Sequence, residues 1–159
     1  MTHPMPVDPT YASATAENSS IGTANTFRIR RLGARPLVFA GTELAMAMSF
    51  TPELPYWYEM NVYRTDRQSF VLRIKHFRAA EGEADTCDAW EFDTLADLFD
   101  AIEAYDAARD VRFDTARLAA APAAELAGRA MSLKAEVAAA RAHFASLAGE
   151  LFQEMDAVA

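Results

Sequence analysis

Between Phe27 and Phe92 apolar residues tend to recur at every second position, and from Leu95 onward at every third or fourth, so the chain divides into a sheet part and a helical part. In 27–32, Phe27, Ile29 and Arg31 alternate with Arg28, Arg30 and Leu32, which predicts a strand. The stretch 36–50 reads as two strands, 36–40 and 43–50, separated by a tight connection or a bulge at Gly41 and Thr42. Its Ala–Met run, 44–48, also suits a helix; Pro52 and Pro55 close it early and favour the strand.

The clearest pair is 56–63 with 70–77. Tyr56, Tyr58, Met60 and Val62 share one face of the first segment and Trp57, Glu59, Asn61 and Tyr63 the other. In the second, Phe70, Leu72, Ile74 and His76 lie opposite Val71, Arg73, Lys75 and Phe77. The polar segment between them, 64–68, suits a hairpin loop. A short strand follows at 87–92, with Trp90 and Phe92 on one face. The period then becomes helical: Leu95, Leu98, Phe99, Ile102 and Tyr105 form one stripe, and Asp93 or Thr94 is placed to cap its start. Beyond Pro122 a second apolar line, Leu126, Ala130, Leu133, Val137, Ala140, Phe144, Leu147 and Leu151, is spaced alternately four and three, the spacing of a heptad seam. A helix over 123–156 would reach roughly 50 Å, longer than a domain of this size requires. Gly128 and Gly149 leave a helical hairpin open as the alternative.

The expected fold class is therefore α+β: an antiparallel sheet of about five strands covered by one amphipathic helix, followed by a long C-terminal helix or helical hairpin. Residues 1–26, rich in Ser, Thr, Ala and Pro, read as a disordered tail, 27–115 as the α+β domain, and 116–159 as a helical extension that packs on the domain or mediates assembly.

With 159 residues and 52% hydrophobic composition, the chain can bury a core without staples. No apolar run is long enough to span a bilayer, and the first residues lack a cationic start followed by an apolar stretch, so the expected location is cytoplasmic. Cys87 is the single cysteine, which excludes an intramolecular disulfide and multi-cysteine metal motifs. The net charge of −8 disfavours nucleic acid and anionic membranes at long range. The charge is nonetheless polarised: nine cations face four acids between Phe27 and Arg78, a balance of +5, whereas Glu81 to Asp114 holds twelve acids against Arg109 and Arg112, a balance of −10.

Candidate chemistry is sparse. No phosphate-cradling glycine loop, zinc-protease motif or nucleophile elbow occurs. His3, His76 and His143 are scattered, and the acids Glu81, Glu83, Asp85 and Asp88 lack the spacing of a calcium loop, so no metal and no cofactor is expected. Cys87 has Asp85 and Asp88 close by, which oppose thiolate formation. His76 is more simply a hydrogen-bonded strand histidine than a general base.

Three functions follow in order. The first is a non-enzymatic binding or adaptor module that self-associates, as a homodimer or with a partner protein, through Leu133, Val137, Phe144, Leu147 and Leu151. The second is binding of single-stranded nucleic acid or another anion on a cationic aromatic face built by Trp57, Tyr63, Arg73 and Lys75. The third is a small-molecule pocket protein or enzyme using Tyr58, His76 and Trp90 between sheet and helix.

Overall fold

The computed structural model describes residues 21–158, a five-stranded antiparallel sheet followed by helices. The strands are β1 (Ala24–Arg31), β2 (Ala34–Met48), β3 (Tyr56–Thr65), β4 (Phe70–Arg78) and β5 (Thr86–Phe92), each hydrogen-bonded to the next in sequence. Helix α1 (Leu95–Glu103), a short 3-10 turn (Ala107–Asp110), α2 (Thr115–Ala119) and α3 (Ala123–Val158) complete the chain. Of the tail expected over 1–26, the first twenty residues lie outside the described ones, and Ala24, Asn25 and Thr26 already belong to β1.

The break expected at Gly41 and Thr42 is absent. Residues 34–48 form one strand, and the turn between β1 and β2 falls at Leu32 and Gly33, where Gly33 takes the positive φ of 68° that suits glycine. Gly41 stays in the ladder opposite Thr65, and a Cβ there would overlap the carbonyl oxygen of Arg64. The irregularity comes slightly later, as a bulge between Glu43 and Ala45. An extra residue in one strand shifts its alternation, so Glu43 lies on the face of Tyr63 while Ala45 and Ala47 lie on the face of Val62 and Met60.

The two faces bury different things. One carries the main core: Tyr58, Met60, Val62, Leu72 and Ile74 of the sheet against Leu98 and Ile102 of α1 and Ala140, Phe144, Leu147, Ala148, Leu151 and Met155 of α3. The larger share of this cover comes from α3 rather than α1, and the small Ala45 and Ala47 let that helix approach β2 closely. Thr94 caps α1 by accepting the N–H of Asp97 at 3.1 Å. The other face is the inside of the curl. There Ile29, Phe39, Tyr63, Val71 and Ala89 form a second cluster drawn from all five strands, and the Leu32 N–H donates to the Cys87 carbonyl at 2.9 Å where β1 comes round towards β5.

The expected heptad seam thus divides along α3. Phe144, Leu147 and Leu151 are buried in the chain's own core. Leu133 and Val137 are half-buried, while Leu126 and Met131, nearer the start of the helix, are 38% and 75% exposed.

Candidate functional site

Antiparallel pairing of β3 with β4 sets Tyr58 directly opposite His76 on the helix-covered face. Their rings lie 4.7 Å apart, and the Tyr56 ring stands 5.5 Å from the same imidazole. His76 is 4% exposed, and its Nδ1 is buried with no hydrogen-bond partner among the described residues. An orphaned polar atom in a low-dielectric site costs about 1–3 kcal/mol, so it calls for a partner.

The segment after α1 folds over this histidine. Asp110 Oδ2 accepts the Tyr58 hydroxyl at 2.9 Å and the Tyr105 hydroxyl at 2.8 Å. Tyr105 in turn stacks on Phe144 of α3, with ring centroids 4.5 Å apart. From the helix side, His143 Nδ1 pairs with the Tyr56 hydroxyl at 2.8 Å. Arg78 Nη2 donates to the Asp110 carbonyl at 3.1 Å, and both Arg78 and Arg112 approach Glu83. Between these groups lies a cleft of about 480 Å³, walled by Leu54, Pro55, Tyr56, Val111 and Ala139, with Tyr58 and His76 in its lining. Most of its exposed surface is apolar, and Arg78, Glu83, Asp110, Arg112 and Glu136 also border it, a mixture found in small-molecule sites.

Electrostatics fix the protonation states. Burial holds His76 below its ordinary value; the Asp110 charge pulls it back upward and Arg78 pushes it down again, so the ring is uncharged near neutrality. Burial, reinforced by the Asp110 charge and hydrogen bond, raises the Tyr58 and Tyr105 hydroxyls far above the usual phenol range. Both tyrosines therefore stay protonated and act as donors to Asp110. Among the described residues, His76 Nδ1 is the buried side-chain atom that lacks a hydrogen-bond partner. Among the described residues no group of three or more His, Cys, Asp or Glu is placed to hold a metal ion.

The seven ligand candidates read from the sequence fall into separate places. Tyr58 and His76 meet in the cleft. Trp90 is on the same face of the sheet, opposite Leu72 and packed on the main core, and does not line the cleft. Tyr63 and Arg73 are buried inside the curl, at 2% and 6% exposure. Arg73 is paired there with Glu59 at 2.7 Å and Asn61 at 2.9 Å, and Asn61 donates to Glu43 at 2.7 Å. Lys75 sits over the Phe77 ring, and Trp57 stacks on Phe77 at 5.0 Å. A flat aromatic–cationic platform therefore does not form, because curvature turns that face inward. Tyr56, Arg78, Tyr105, Asp110 and His143 were not legible as site residues. Asp110 comes 52 residues after Tyr58, and nothing local marks it out from its acidic neighbours.

No family model, curated protein or solved structure matches this chain. No described helix is long and apolar enough to cross a membrane.

Proposed function

We propose that the chain is a binding module for a small, largely apolar, uncharged molecule, seated in the cleft between the β3–β4 hairpin and α3 and anchored by one hydrogen bond to His76. The observation that carries this reading is the buried Nδ1 of His76, without a hydrogen-bond partner among the described residues, beside a cleft whose exposed surface is largely apolar. The uncharged ring suits a neutral guest, and the nearby charges are already engaged, Arg78 and Arg112 with Glu83, and Asp110 with Tyr58 and Tyr105. A hydroxyl or amide group on the guest supplies the missing partner whichever tautomer the ring adopts.

The chain has three histidines, so its imidazole NMR spectrum reports on this site directly. Phenol, indole and cyclohexanol serve as probes. Titration should move the His76 resonances, and His76→Phe should abolish the tightest of the responses. Unmoved His76 resonances with all three probes, together with no retained mass by native mass spectrometry of the purified chain, would sink the reading.

A second reading, self-association through the start of α3, is favoured by the exposure of Leu126 and Met131 on a helix of about 54 Å that joins the main core only from Ala140 onward among the described residues. Sedimentation should show a dimer that Leu133→Glu dissociates; a wild-type monomer at high concentration removes this reading.

A further inference from the structure

The β1–β2 hairpin has two unlike sides. On one, Phe27, Ile29, Leu37 and Phe39 pack into the curl. On the other, Arg28, Arg30, Val38 and Ala40 are exposed, and register sets Arg28 directly opposite Val38, which is 52% exposed. The main core draws on β2 only from Leu44 onward, so this part of the sheet carries no helical cover. Residues 24–42 hold four arginines and no acid. Glu43, the next carboxylate, is buried and accepts the Asn61 amide at 2.7 Å. Arg28 and Arg30 have no ion-pair partner among the described residues.

The opposite charge stands on α1. Leu98 and Ile102 are buried on its inner side, whereas Asp97, Asp100 and Glu103 are exposed, and the helix has no cation to offset them. Acids of the preceding loop and strand are engaged: Glu83 meets Arg78 and Arg112, and Asp88 meets Arg109. Asp97, Asp100 and Glu103 have no ion-pair partner among the described residues, Asp97 taking the Thr94 hydroxyl at 2.6 Å. Arg28 and Arg30 stand about 7 Å apart along their strand, and side chains three apart on a helix about 5–6 Å. Two guanidinium forks can therefore meet successive carboxylates of such a row.

We infer that the bare side of the β1–β2 hairpin is a docking surface for a second copy of this chain, whose acidic α1 lies across Arg28 and Arg30 with Val38 in the contact. The two surfaces differ, so the contact runs head to tail, and a pair still offers one hairpin and one α1 to further copies. At physiological ionic strength screening over about 8 Å quiets the repulsion between two chains of charge −8, while pairs in contact survive. Lipid and nucleic-acid surfaces, anionic throughout, have no counterpart for the −10 balance of residues 81–114; two copies satisfy both halves of the chain's charge. The contact uses neither the His76 cleft nor the start of α3.

The test is sedimentation velocity of the full chain at about 0.15 M salt, with charges reversed on either surface. The wild type should sediment with a mass that rises with concentration. Arg28→Glu with Arg30→Glu turns attractive pairs into repulsive ones and should weaken this association by about tenfold, and Asp97→Lys with Asp100→Lys should do the same. All four positions are exposed, so the fold is retained. An equimolar mixture of the two variants restores complementary surfaces and should recover association to within about threefold of the wild type. Assembly through α3 alone would be indifferent to either reversal. The inference is overturned if the wild-type mass does not change with concentration, if either reversal leaves association within about twofold, or if the mixture fails to recover. It is also overturned if the arginine variant loses binding to phosphatidylserine vesicles while its self-association is unchanged, which would assign the surface to a membrane.

Discussion

Tyr58 donates its hydroxyl to Asp110 at 2.9 Å, tying a fully buried residue of the central strand to the segment that follows α1. Tyr105 donates to the same oxygen from within that segment, so one carboxylate orders two tyrosines and holds the segment against the sheet. Asp110→Ala leaves the Tyr58 hydroxyl buried without an acceptor and should cost about 2–4 kcal/mol in urea denaturation. Asp110→Asn keeps an acceptor oxygen and should recover part of this. A loss below about 0.5 kcal/mol would show that the segment is held by other contacts.

Acidification should report on His76. An unfolded histidine takes up its proton near 6.5, whereas burial holds the folded ring below that value. In the interval between them the unfolded chain binds more protons, so stability falls as pH drops through 6.5 and levels off below the folded value. Asp110, Asp85 and Glu83 oppose this shift and Arg78 adds to it. Unfolding free energies of the wild type and His76→Gln, compared at about pH 7.5 and 5.5, should show the wild type losing ground to the variant. An unchanged difference would mean that His76 protonates freely in the fold.

Gly41→Ala should be among the most damaging single-methyl additions in the chain. The new Cβ would collide with the Arg64 backbone of the neighbouring strand, which cannot move without breaking the β2–β3 ladder. A loss of about 2–4 kcal/mol is expected from such overpacking, read from the chemical-denaturation midpoint. Tolerance of alanine would show that the two strands separate easily at this point.

The two halves of α3 should respond differently to truncation of a leucine. Leu147 is 1% exposed in the main core, and Leu147→Ala should cost about 2–4 kcal/mol at every protein concentration. Leu133 is half-buried, and Leu133→Ala should cost under about 1 kcal/mol in the monomer. If α3 also self-associates, the Leu133 effect should grow with protein concentration, because assembly stabilises by mass action. Equal effects at both positions would contradict the division of the helix.

Residue chemistry alone determined a good part of this protein. Period-two alternation defined the β3–β4 hairpin, with Tyr58 and His76 on one face and Arg73 and Lys75 on the other. The stripe from Leu95 to Tyr105 with Thr94 before it marked α1, and the heptad spacing marked a long final helix. These are local rules, set by where successive Cβ atoms point. Tertiary structure decided what each face meets. The sheet's curl turned Tyr63 and Arg73 inward and brought Leu32 of the β1–β2 turn against Cys87 of β5, and curvature accumulates over five strands that no local pattern reports. The bulge after Glu43 switched the faces of β2, and the chain's return along α3 buried Phe144, Leu147 and Leu151 within the core. Most of all, folding brought Asp110 over Tyr58 and enclosed the Nδ1 of His76 without a partner among the described residues, since burial and hydrogen bonding depend on residues distant in sequence.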